Sequence, residues 1–189
     1  LTASNGTRYA TGRIDAAKVE RVIRKLHEKH AIGATPAQRL TRKKTKNGRA
    51  NAILALYWSK GDAAEWALLF TPGELAESEQ LHEITGKHRL VFLNYELMRH
   101  GARGRAAWTW GRPKTEMSEH YAMLDDARHR RRADELAAHL LRLANQPGFH
   151  GVREQSKALF EYARRRGYAG ELLTLYYLRK VSHGERFAL

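Results

Sequence analysis

The sequence predicts an α+β fold: a small, mostly antiparallel β-sheet of about four strands in two hairpins, an N-terminal basic helix, and a helical C-terminal half. Three observations carry this. Two pairs of short apolar runs rich in branched and aromatic residues are each joined by a glycine-bearing connection. An amphipathic stretch with helical spacing precedes them. Beyond Pro113 the apolar positions return at three- and four-residue intervals.

In chain order, residues 1–14 are small, polar and turn-prone, and read as an arm ahead of a single domain over 15–189, with helix plus sheet to 112 and the helical part from 113. Asp15 reads as the N-cap of a helix running to about Ala31, with Val19, Val22, Ile23 and Leu26 inward and Lys18, Arg21, Arg24, Lys25 and Lys29 outward. Gly33 ends it, and Thr35–Pro36 is a cap followed by proline at a first helical position. A short helix can follow, but Arg39–Arg49 holds six cations and no acid, and reads mainly as a mobile basic loop.

Asn51–Ser59 and Ala64–Thr71 read as the first hairpin, with Leu54, Leu56 and Trp58 on one strand face and Trp66, Leu68 and Phe70 on the other strand's. Thr71–Pro72–Gly73–Glu74 has the form of a capping box, so an acidic helix carrying Glu74, Glu77, Glu79 and Glu83 is expected, a docking surface for other protein subunits. The second hairpin is Leu90–Leu97 and the strand holding Trp108 and Trp110, with Gly101 and Gly104 at its turn.

Thr115 or Ser118 caps a long helix that Arg128–His129–Arg130–Arg131–Arg132 should kink or break, because charge there surrounds the whole circumference. Val152–Arg166 is the next helix, stopped by Gly167 with Tyr168 folding back. Glu171–Val181, apolar nearly all round, fits helix or strand and is read as helix.

Charge dominates the composition. The 189 residues carry a formal net charge of +14 and no cysteine. Thirteen Lys or Arg stand against three acids in 1–50, four against seven in 51–100, and seventeen against ten in 101–189. Such clustering favours a polyanion partner, DNA or RNA, over a membrane surface. No run reaches the roughly 20 apolar residues of a membrane span. The lack of cysteine removes disulfides and thiolate zinc, and suits a cytoplasmic setting.

The predicted nucleic-acid contacts are Arg39, Arg42, Lys43, Lys44, Lys46 and Arg49 in the basic run, Arg99, Arg103, Arg105, Arg112 and Lys114 around the second hairpin, Arg128, Arg130, Arg131 and Arg132 at the helix break, and Arg164, Arg165 and Arg166. Trp108 and Trp110 project from one face, either as sheet core or as stacking platforms for unpaired bases. No phosphate loop, GxGxxG or GxSxG motif occurs, and His27 and His30 have no third metal ligand at a recognisable spacing, so no cofactor or metal is expected.

The expectation is therefore a non-catalytic nucleic-acid-positioning subunit of a larger complex of RNA-guided, replication or mobile-element type. A nuclease using His100, or Arg132 with His139, is the enzymatic alternative. A basic protein–protein adaptor is the third.

Overall fold

A computed structural model describes residues 8–44, 48–58, 61–75, 80–102 and 105–176, with backbone alone for Ala102, Arg105 and Ala106. The elements are β1 (Arg8–Asp15), a 3-10 turn (Ala16–Lys18), α1 (Val19–His30), α2 (Pro36–Lys44), β2 (Ala52–Tyr57), β3 (Ala63–Phe70), β4 (His82–Glu83), β5 (Val91–Phe92), β6 (Tyr95–Ala102), β7 (Arg105–Gly111), α3 (Lys114–His129), α4 (Ala133–Ala144) and α5 (His150–Arg165). The α+β class is as expected. The two hairpins, however, lie in separate sheets, ordered β2-β3-β1-β4 and β5-β6-β7. The chain divides into two compact units, one ending at Leu93 and the next beginning at Asn94.

In the first unit the predicted β2–β3 hairpin forms, with Ala52 opposite Phe70, Leu54 opposite Leu68 and Leu56 opposite Trp66. The expected arm is a correction: from Arg8 onward it is β1, paired with β3 over its full length. The small residues that read as irregular chain make room there. A Cβ on Gly12 would stand 2.9 Å from the Trp66 indole, so the strand lies under that ring only because Gly12 has no side chain. Asp15 does not cap a helix; its carboxylate takes the Lys18 ammonium at 2.7 Å, and the 3-10 turn delays α1 to Val19.

Three residues of the predicted α1 stripe face the core, while Val22 is only half-buried and is not part of that cluster. Val19 and Ile23 are buried against Ala52, Ala64, Leu68 and Phe70, with Leu26 packed at the edge. Burial of side chains of this size stabilises by about 1.5–3 kcal/mol each. Ala31, in the left-handed region at φ 52°, ends the helix two residues before the expected Gly33.

Arg39–Lys44 is helical rather than a loop, because Thr35 and Gln38 cap each other's backbone: the Thr35 N–H donates to Gln38 Oε1 at 2.8 Å, and the Gln38 N–H to Thr35 Oγ1 at 3.3 Å.

The capping box at Thr71 is overridden. The Glu74 N–H donates to Gly48 O at 3.0 Å, its carbonyl accepts from Ala50 N at 2.8 Å, and Arg49 and Glu74 form a parallel bridge. With those groups committed to 48–50, no helix starts; His82–Glu83 is β4, on the edge of β1, and Glu77 and Glu79 lie outside the described residues. The expected acidic helix is thus absent at both of its described ends. Gly73 makes the bridge possible: its φ is +144°, and a Cβ would stand 2.2 Å from Gly48 O. Gly73→Ala is expected to destabilise this unit by at least about 1–3 kcal/mol, the cost of a glycine-only backbone conformation, measured as a lowered urea midpoint with helix content retained at low denaturant.

In the second unit β6 and β7 form the predicted hairpin, Leu97 opposite Trp110 and Arg99 opposite Trp108. Leu90–Leu97 is not one strand: Leu93 and Asn94 have φ of 51° and 64° and turn the chain between β5 and β6. Gly101 lies inside β6 and Gly104 outside the described residues.

Pro113, not Thr115 or Ser118, occupies the N-cap of α3. The predicted break falls at Arg130–Arg132, with Arg131 at φ 55°. Helix α5 ends as expected, Gly167 at φ 92° and the Tyr168 N–H returning to Ala163 O at 3.0 Å. Leu124, Leu140, Leu143, Leu159, Phe160 and Ala163 are the buried core that joins α3, α4 and α5. The reading of 171–181 as helix fails over its described part: 171–176 is irregular, though Leu172 and Leu175 still reach this core. Arg153 holds the Leu175 carbonyl through Nε and Nη2 at 3.0 and 2.7 Å.

Candidate nucleic-acid interface

The basic residues sort by what their charge already does. On α1, Arg21 and Lys25 are exposed one turn apart and have no ion-pair partner among the described residues, whereas Arg24 is held by Glu20. On α2, Lys43 and Lys44 are exposed and unpaired among the described residues. Their neighbours are anchors: Arg39 Nη2 donates to Ile32 O at 3.4 Å, and Arg42 Nη2 to Ala50 O at 3.5 Å. Arg49 is exposed, and its N–H donates to Arg42 O at 3.1 Å, which brings it to the C-terminal end of α2. A cleft of about 310 Å³ beside them has Lys29, His30, Arg42 and Arg49 on its wall, with Glu28 and Glu74. Lys46 lies outside the described residues.

In the second unit Arg99 is exposed and lies over the Trp108 ring at 5.6 Å, the geometry of a cation–π contact. Trp108 and Trp110 are both half-buried. Arg103 lies outside the described residues; Arg105 sits in β7 opposite Ala102. Lys114 is exposed at the start of α3.

At the α3–α4 break Arg128 and Arg131 are exposed without ion-pair partners among the described residues, while Arg130 pairs with Asp126 and Arg132 with Glu135, both at 2.9 Å. Such surface pairs contribute little, so a phosphate can replace the carboxylate at small cost. Arg164 lies over Tyr168 at 5.5 Å and Arg166 over Tyr162 at 5.1 Å; Arg165 between them is exposed.

Arg112 is a correction. Expected on the binding surface, it is 1 % exposed, the largest fully buried side chain among the described residues. Its Nε donates to Gln146 Oε1 at 2.7 Å, Nη1 to Val152 O at 3.2 Å and Nη2 to Ser156 Oγ at 2.8 Å, with Glu116 at 3.7 Å. Burial pushes its pKa down, partly offset by Glu116. No surface is left on it for a ligand.

The histidines of the enzymatic alternative are also placed. His139 is buried, its Nδ1 3.2 Å from Arg142 Nη2 and its ring 5.1 Å from that of His120; Arg132 turns instead to Glu135. His100 is half-buried, its ring 4.0 Å from His150. Among the described residues no group of three or more His, Asp or Glu is arranged to hold a metal ion, and no helix is long and apolar enough to cross a membrane.

Sequence reasoning missed one polar network, Arg112–Glu116–His120 continuing to His139. Its signal was present, since those first three residues recur every fourth position. Comparison with known proteins finds no matching family model, no similar curated protein and no similar solved structure.

Proposed function

We propose that this chain binds nucleic acid, DNA or RNA, through its cationic surface, and positions it within a larger nucleoprotein assembly of RNA-guided, replication or mobile-element type. The observation that supports this most is the state of the exposed cations. Arg21, Lys25, Lys43, Lys44, Arg49, Arg128, Arg131 and Arg165 are not consumed by ion pairs among the described residues, in a chain of net charge +14. Lysine and arginine left unpaired gain by neutralising phosphates and releasing condensed counterions. A holding role is favoured over cutting by the burial of His139, which removes one of the histidines that a nuclease on this surface would use.

The test is binding to matched single- and double-stranded DNA and RNA of mixed sequence across a salt series. Affinity is expected to fall with salt by about 0.7–0.9 log units per log unit for each phosphate neutralised. Replacing Arg21, Lys25, Lys43 and Lys44 together by glutamine should reduce both affinity and slope. A weak, flat response to every probe overturns the reading and leaves the charge to a protein partner.

A further inference from the structure

We propose that α2 is the element that enters the major groove of B-form DNA, presenting Ala37, Leu40, Thr41 and Lys44 to the base edges. The inference rests on the nucleic-acid reading above and narrows it to duplex DNA.

Helix α2 buries none of its nine residues, so it is not a core element. It is nevertheless fixed. The Thr35–Gln38 box sets its first turn, Arg39 and Arg42 donate to backbone carbonyls on its inner side, and Asn51 Nδ2 donates to Arg39 O at 3.2 Å. A helix tethered outside the core with an exposed face is a presenting device, and Ala37 and Thr41 also line a cleft with His27 and Ala31. Ala37, Leu40, Thr41 and Lys44 follow the i, i+3, i+4, i+7 spacing of a single stripe, and all four are exposed, Leu40 by 55 %.

The chemistry of this stripe commits it to one partner. Four cations and no acid in nine residues suit a polyanion, and with Leu40 as its single large apolar side chain the face is poor for an apolar protein groove. Methyl groups of alanine and threonine fit thymine methyls, the Thr41 hydroxyl, which donates to Ala37 O at 3.1 Å, keeps its lone pairs as an acceptor, and lysine reaches guanine O6 and N7. Lys43, at the side of the stripe, and Arg49 are placed for flanking phosphates. An α-helix about 10–12 Å across fits the roughly 12 Å major groove of B-form DNA, whereas the deep, narrow major groove of A-form RNA excludes it. In chain order the elements follow the sequence of a helix–turn–helix: α1, a short connection through left-handed Ala31, then the presenting helix.

The experiment uses the full chain with a mixed-sequence DNA duplex, the RNA duplex of the same sequence, and the DNA with its guanines methylated at N7. The wild type is expected to prefer the DNA duplex to the RNA duplex by about tenfold or more, and to lose affinity when N7 is blocked. Leu40→Asp and Lys44→Ala, at exposed sites and checked for unchanged helix content, should each weaken DNA-duplex binding about tenfold while moving RNA-duplex binding far less. Lys43→Gln, in contrast, should weaken both duplexes alike. Equal losses on DNA and RNA, or no loss from either stripe variant, would sink the groove assignment while leaving nucleic-acid binding intact. Failure of the wild type to bind any probe removes the reading beneath it.

Discussion

Replacing Arg112 by alanine is expected to destabilise the second unit by about 3–5 kcal/mol, the cost of removing one member of a buried, hydrogen-bonded charge cluster. The guanidinium donates to groups from two places and faces a carboxylate from a third. Gln146 follows α4, Val152 and Ser156 belong to α5, and Glu116 is on α3. Its backbone is clasped as well, the Arg112 N–H donating to Gln155 Oε1 at 2.7 Å and Gln155 Nε2 returning to Arg112 O at 3.0 Å. Ser156 passes the network on to Leu143 O at 3.3 Å. Truncation strands these acceptors without their donor and removes the counter-charge 3.7 Å from the partly buried Glu116 carboxylate.

In a unit of this size such a loss lowers the melting temperature by roughly 12–40 °C. Amide exchange locates the effect: protection should fall across α4 and α5 in the variant while β1 and β3 of the first unit keep theirs. Arg112→Lys should recover little, because a single ammonium cannot reproduce a planar fork that reaches Gln146, Val152 and Ser156 together. A lysine variant as stable as the wild type would show that charge alone matters there.

How much of this could be read from the sequence depended on whether the deciding contacts were local. The β2–β3 hairpin, the α3–α4 break and the Gly167 stop are each set by residues within a few positions of one another, and they appear where expected. β1 was illegible because its partner strand begins nearly fifty residues later and its fit depends on an absent side chain at Gly12 beneath Trp66. The capping box at Thr71 was a true local signal that lost to backbone bonds with 48–50.

Charge misled in two directions. The density of cations in 39–44 hid a helix whose cap, Thr35 with Gln38, was in plain view. Arg112, between Gly111 and Pro113 in a basic stretch, gave no sign of burial except the spacing to Glu116 and His120. For the interface, types and numbers of cations were legible. Which of them anchor the fold was decided by carbonyls seven and eight residues away for Arg39 and Arg42, and for Arg112 by groups 34 to 44 residues away.

Acid is expected to begin weakening the second unit above the range in which carboxylates titrate, through His139. Burial is the main reason that its pKa falls from 6.5 to about 4, and the nearby His120, Arg142 and Arg112 add repulsion toward a second positive charge. His120 is lowered too, again chiefly by burial, then by Arg112, with the Glu116 hydrogen bond and carboxylate acting against the shift. Lowered values mean that the unfolded chain binds the proton more tightly than the folded one. The contribution of neutral His139 is therefore fully present above pH 6.5, shrinks as pH falls from 6.5 to about 4, and changes no further below that.

A shift of this size corresponds to about 3 kcal/mol. Arg142 meets Nδ1, and Nε2 is buried without a hydrogen-bond partner among the described residues. His139→Gln, which cannot titrate, should flatten the dependence of the urea midpoint on pH between 7 and 4.5, while His120→Gln should flatten it in part. An unchanged slope in both variants would assign the acid sensitivity to carboxylates and remove the histidine pair from the account.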